Sequence, residues 1–370
     1  MCVAIADVVF TEKEIGVIAS QGPWPVTIPN DPGNELSGDV WAEQLGASLF
    51  REASLSNGGR VSCHSCHRAE LGFSDGLPIA IGEQKAVRNT QGLLNVGLQR
   101  WFGWGGGADS LWAASLRPLL AEHEMGNDIP GLAAKLRSNK VFMEKISAFA
   151  ERKNSNERAN VYSDTDLVVL AAKSIAAYVR TLRSGITPFD EFRVALLQND
   201  VHGIDTYPDR AKRGLKLFIG EANCRVCHFG ANFSNSEFHD IGLSFFTAVG
   251  QVDPGRYAGI ERIKKDPFSL LGDFGVQVSG AERFATSNVK QSQLNWGQWR
   301  TPSLRNLTLT APYMHNGSLS TLRDVVDWYS DIDLERLHTE GESLLKPLVL
   351  NEQQRKDLVA FLESLSVVSR

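Results

Sequence analysis

Cys63-His64-Ser65-Cys66-His67 and Cys224-Arg225-Val226-Cys227-His228 decide how this chain is read. Each holds two cysteines three apart with a histidine directly behind, the pattern by which c-type haem is attached. That spacing lets each thiol add across one vinyl group of a porphyrin, while the adjacent imidazole reaches the iron as proximal ligand. One match alone is compatible with half of a zinc site, but paired zinc CxxC elements usually lie within about 20 residues of each other. Here most of the molecule separates them. A thioredoxin-like redox pair needs a βαβ setting, which the pattern lacks, and does not need the histidine. The expectation is two covalently attached haem c groups, one on Cys63, Cys66 and His67, the other on Cys224, Cys227 and His228.

Working outward, a helical period starts at Asp39, with Trp41, Leu45 and Leu49 on one face. It ends in Leu49-Phe50, and a glycine-rich turn leads to the first motif. A helix over residues 209–218 ends in Leu217-Phe218 and leads to the second. Two helix-then-CxxCH units indicate an internal duplication, so the expected fold is mainly α, with two cytochrome c-like haem domains. Between the motifs, Asp109 or Ser110 caps a helix that Pro118 limits, another starts near Pro130, and residues 165–182 carry a core stripe. Thr187-Pro188 opens a further helix, which places the join near residues 184–205. The predicted organisation is a loose lead-in over 1–38, a first haem domain over 39–195 and a second over 196–370. Residues 235–300 read as a long irregular loop, of the kind that serves function or an interface. Asn351 caps a last helix bearing Leu358, Leu362 and Leu365.

The 370 residues carry a net charge of −5 and no lysine- or arginine-rich block, which argues against a nucleic-acid partner. No apolar run approaches the ~18 residues of a membrane span. Four of the five cysteines sit in the two motifs. Cys2 is left over, beside an Ala4-Ile5-Ala6 step that reads as the stump of a secretory signal. Covalent haem attachment itself implies the periplasm.

With both motifs placed, the chain resembles the bacterial dihaem cytochrome c peroxidase and MauG family. Arg88-Asn89-Thr90, the run from Trp104 to Leu111, Glu122-His123-Glu124-Met125 and, above all, residues 301–329 (TPSLRNLTLTAPYMHNGSLSTLRDVVDWY) carry the resemblance. It implies that His67 serves a peroxidatic haem and His228 a six-coordinate, low-spin one. It matches Trp104 to the tryptophan between the haems, Glu124 to the distal acid and Pro118 to a pocket proline. Ala114 falls where relatives often have glutamine. Asn89, Thr310 and Pro312 match positions that hold a calcium ion, whose taste for oxygen donors they suit.

Two departures indicate the MauG-like or MbnH-like branch. Where dihaem peroxidases place an axial methionine, this chain has Tyr329, and a phenolate favours ferric and higher iron states. Met314 is the competing ligand. The loop Ala80-Ile81-Gly82-Glu83-Gln84 lacks the distal histidine of those peroxidases, with Glu83 read as facing solvent, so the first iron is expected to be open. The resemblance then implies an enzyme that uses hydrogen peroxide to form a high-valent, bis-ferryl-type state and oxidises a side chain, tryptophan foremost, on a periplasmic partner protein. Trp296 and Trp299 are read as surface candidates for docking or hole transfer. The alternatives are peroxide removal fed by a small redox protein, and a non-enzymatic electron carrier.

Overall fold

The computed structural model describes residues 8–152, 162–248, 250–275, 280–333 and 345–367, and it is mainly helical. Cys2 and the signal-like stretch lie outside the described residues.

The lead-in is not loose. Thr11 and Glu14 form a reciprocal capping box that starts α1 (Glu12–Ala19). Phe10 and Ile18 then join the C-terminal core, and Glu14 pairs with Lys216 at 2.8 Å. Further along, Asp31 accepts the N–H groups of Leu111 and Trp112 at 2.7 and 2.8 Å, so the segment straps both halves together. Its glycines and prolines masked a T-x-x-E signature that was legible at 11–14.

Asp39 caps α2 (Val40–Phe50), and α3 (Cys63–Cys66) is the first motif itself. Ser110 caps α4 (Leu111–Leu120). Pro118 lies inside α4 rather than limiting it, because a proline two residues from the end removes only one intrahelical bond. Next come α5 (Ile129–Ser138), α6 (Lys140–Arg152) and α7 (Asp164–Arg180), the last carrying the expected core stripe. Then α8 (Pro188–Gln198), α9 (Val201–Thr206) and α10 (Asp209–Ile219) lead to the second motif.

The stretch read as irregular is partly ordered. It contains the antiparallel pair β1 (Phe238–Asp240) and β4 (Gln298–Arg300), the hairpin β2 (Phe246–Ala248) with β3 (Gln251–Val252), α11 (Arg256–Lys265) and α12 (Ala281–Asn288). Strands of two or three residues are too short to show a period of two. The chain continues through α13 (Leu322–Ser330) and α14 (Glu352–Glu363), the latter capped by Asn351.

The duplication is visible in packing. α2 crosses α7 at Gly46, where a Cβ would meet the Ser174 carbonyl oxygen at 1.9 Å. α10 crosses α14 at Gly214, where a Cβ would meet the Asp357 carbonyl oxygen at the same 1.9 Å. Each glycine precedes by four residues the phenylalanine, Phe50 or Phe218, that enters its core. One core runs from Leu36 to Leu182 with Phe268; the other joins Phe10 and Ile18 to residues between Phe189 and Leu365. Phe189 and Phe192 of α8 belong to the second core, so a boundary after residue 195 would cut through a helix.

Candidate functional site

One helical turn brings each CxxCH together: the His67 N–H donates to the Cys63 carbonyl and the His228 N–H to the Cys224 carbonyl, both at 2.9 Å. Downstream, Phe73 (φ 60°) and Phe233 (φ 49°) take left-handed backbone conformations. That bend aims each carbonyl back at its histidine, 2.7 Å from Nδ1 of His67 and 3.0 Å from Nδ1 of His228. A carbonyl can only accept, so Nδ1 carries the proton and Nε2 is left with its lone pair for a metal. Burial lowers both imidazole pKa values, that of His228 to about 4, which keeps the rings neutral. The four motif cysteines form no disulfide. Burial pushes the Cys63 and Cys224 thiols up to about 12 and Cys66 to about 11. A redox CxxC pair shows the opposite shift.

Each histidine borders a cavity. The first, of about 730 Å³, is walled by Cys63, Cys66, His67, Trp104, Ala114, Pro118 and Glu124. The second, of about 180 Å³, is walled by His228, His239, Arg300, Met314 and Tyr329. Trp104 borders both. Its indole N–H donates to the Asn89 carbonyl at 2.9 Å, and its own carbonyl accepts the Arg300 N–H at 2.9 Å. A free Nε2 on each side, with the Cys63 and Cys66 thiols on the first wall and the Cys224 and Cys227 thiols close to Tyr329 of the second, fits a haem at each cavity.

Glu124 lies 3.2 Å from Arg117 and 3.6 Å from Nε2 of His123. The loop over 80–84 pins it from behind: the Glu83 and Gln84 N–H groups donate to the Glu124 and His123 carbonyls at 2.8 and 3.2 Å. Gly82 permits this approach, since a Cβ there would stand 2.5 Å from the His123 carbonyl oxygen. The Glu83 carboxylate accepts the Gly58 N–H at 2.9 Å, so it braces a turn rather than facing solvent. His123, to which the resemblance assigns no role, borders the first cavity although the loop over 80–84 has no histidine. Arg117 and Arg262 border it too.

On the second side, Tyr329 stands on α13 with its phenol pKa raised by burial and by the nearby thiols of Cys224 and Cys227. Met314 reaches the same cavity from a left-handed position (φ 71°), so both candidate ligands share one wall. Asn89, Thr310 and Pro312 also come together there. The Asn89 amide donates through Nδ2 to the Leu77 carbonyl at 2.8 Å, which leaves Oδ1 for a cation. No group of three or more His, Cys, Asp or Glu side chains suited to a metal occurs among the described residues, so a cation here would rest on neutral oxygens. Trp299 is not a surface residue. It is 3% exposed and stacked on the His315 ring at 3.6 Å, because β4 pairs with β1 and turns it inward. Trp296 is half-buried, 5.3 Å from the ring of Tyr257.

Two cytochrome c-like units sharing one tryptophan define a dihaem redox protein. The family model for di-haem cytochrome c peroxidase matches residues 42–196. The chain is 33% identical to methylamine utilization protein MauG of Methylorubrum extorquens, over 96% of this chain and 86% of the relative. It is 34% identical to cytochrome-c peroxidase IdrP1 of a Pseudomonas species, over 93% and 84%. It also overlays a MauG-like protein associated with microbial copper homeostasis, with a TM-score of 0.67 at 24% identity over 93% of this chain and 95% of the other. The protein belongs to the di-haem cytochrome c peroxidase and MauG family, and it is a haem-dependent oxidoreductase.

No helix among the described residues is long and apolar enough to cross a membrane.

Proposed function

We propose that this protein uses hydrogen peroxide to oxidise a side chain, tryptophan foremost, of a partner protein in the periplasm. The observation that carries the reading is Tyr329 on the wall of the His228 cavity, beside a first cavity that holds a carboxylate. Cys63 and Cys66 would bind one haem c and Cys224 and Cys227 the other through thioether bonds, with His67 and His228 as proximal ligands and Tyr329 as the second ligand of the latter. Asn89, Thr310 and Pro312 would hold a calcium ion. Bound haem supplies the iron chemistry and stores the oxidising equivalents.

The chain's own residues do the rest. Glu124 takes a proton from the near oxygen of peroxide and returns it to the departing oxygen, so that peroxide, two protons and two electrons become two waters. Arg117 and His123 hold its carboxylate in place. Pro118 shapes the same wall. Trp104 lies between the cavities and passes the electron hole from one side to the other. The two electrons come finally from the partner's side chain, at a distance from the peroxide. Glu124→Gln is expected to slow the reaction with peroxide by about 100- to 10,000-fold, read as the rate of the Soret change in stopped flow. An unaltered rate removes Glu124 from the chemistry. Trp104→Phe is expected to leave that first reaction intact and to delay the spectral response of the second haem.

A second reading has one observation in its favour: Met314 borders the same cavity as Tyr329. A methionine ligand would suit a peroxidase that removes peroxide with electrons from a small redox protein. Peroxide turnover with ferrocytochrome c as donor separates the two. The proposed function predicts slow turnover, and rapid, sustained turnover would favour the second reading.

A further inference from the structure

Arg300 is a cation buried without an anion. It is 2% exposed, and among the described residues its side chain donates only to backbone carbonyls, Gly103 at 3.4 Å and Thr301 at 3.3 Å. Burial pulls its pKa down to about 10, with no carboxylate to offset the loss of solvent. Three other arginines beside the cavities have a carboxylate partner, Arg117 lying 3.2 Å from Glu124. Arg88 grips Asp253 through two bonds of 2.6 Å, and Arg305 grips Asp190 at 2.8 and 2.9 Å. A guanidinium this deep is costly unless it is paired, and its planar fork matches a carboxylate. Arg300 faces the cavity of His228 and Tyr329.

The duplication shows that this charge is particular to one side. Residues Thr90 to Asn95 and Thr301 to Asn306 follow the same course, each ending on an asparagine in a left-handed conformation, φ 62° and 63°. The residue ahead of the threonine is Asn89 in the first copy and Arg300 in the second. The main chain of Arg300 also holds the loop of Trp104, through the bond from its N–H to the Trp104 carbonyl.

We propose that Arg300 binds a propionate carboxylate of the haem carried by Cys224 and Cys227, and so sets an ion pair against the Trp104 loop on the second side alone. This rests on the two-haem reading. By neutralising a carboxylate near the second iron, Arg300 raises that iron's reduction potential relative to a haem whose propionate is bare.

The test uses the haem-loaded protein, its Arg300→Gln and Arg300→Lys variants, and spectroelectrochemical titration that resolves the two haems. A pyridine haemochrome count of two haems per chain in the parent protein comes first. A lower count defeats the two-haem reading itself, and is seen before any variant is compared. Arg300→Gln should lower the potential of the second haem, leave that of the first unchanged, and lose the infrared signature of a paired propionate. Arg300→Lys should restore most of both. If Arg300→Gln does not retain haem, the lysine variant carries the test through a smaller shift confined to the second haem. Unchanged potentials, equal shifts at both haems, or a parent potential that follows the chloride concentration would overturn the assignment, the last by showing that a small anion fills the site.

Discussion

Tyr329→Phe is expected to slow oxidation of the partner protein severely while leaving the first reaction with peroxide near its parent rate. The substitution removes one oxygen and keeps the ring. Its packing cost is therefore small, on the order of 1 kcal/mol for a lost polar interaction, and the fold should survive. Its chemical cost is large, because the second iron loses an anionic donor that favours its higher oxidation states. Burial raises the phenol pKa, so the tyrosine stays protonated until a metal takes the place of the proton, and it serves as a ligand only when haem is bound. We expect a loss of about 100-fold or more in partner oxidation, equivalent to roughly 2.7 kcal/mol or more in the barrier, and a rise in the second haem's reduction potential. Met314→Leu should leave both quantities close to those of the parent. A Tyr329→Phe protein that still oxidises its partner would remove the tyrosine from the mechanism.

Gly214→Ala is the substitution expected to cost most in stability. Alanine normally improves a helix over glycine, since it restricts the unfolded chain. Here the new Cβ would stand 1.9 Å from a backbone carbonyl of α14 and 2.8 Å from Cβ of Phe361, and a backbone carbonyl cannot swing aside. α10 and α14 would have to separate, at a cost of about 3 kcal/mol in overpacking and lost contact. Phe218 and Phe361, whose rings lie 4.8 Å apart, would separate with them and disturb Phe233, whose carbonyl holds His228. The expected result is a lower unfolding free energy and a selective loss of haem on the second side. Gly46→Ala should do the same to the first side through Ser174. Gly16→Ala, with nothing within 4 Å of the new atom, should be neutral or mildly stabilising. Equal effects at all three positions would show that the close crossings do not limit stability.

Some of this was open to reading and some was not, for physical reasons. The helices leading into each motif carry apolar stripes, and Asp39, Thr187 and Asn351 all cap helices in the structure, whereas the helix before the second motif starts at Pro208 without a capping side chain. Trp104, Pro118, Glu124 and His67 border one cavity, and Trp104 borders both. The lead-in was misread because composition outweighed a four-residue capping signal. Trp299 was misplaced because a three-residue strand does not announce which face is buried. His123 lay in a stretch that carries the resemblance but got no role of its own, and Arg300 got none either, since their importance comes from what stands opposite them in space. The repeated Thr-to-Asn course was the one available hint, and it shows only when both copies are set side by side.

The most direct test of two unequal iron sites is electron paramagnetic resonance of the ferric, haem-loaded protein beside its Tyr329→Phe and Met314→Leu variants. We predict one high-spin signal from the first haem and one low-spin signal from the second, with only the low-spin signal altered by Tyr329→Phe. Two low-spin signals at rest, or a low-spin signal that survives Tyr329→Phe and vanishes in Met314→Leu, would contradict the account.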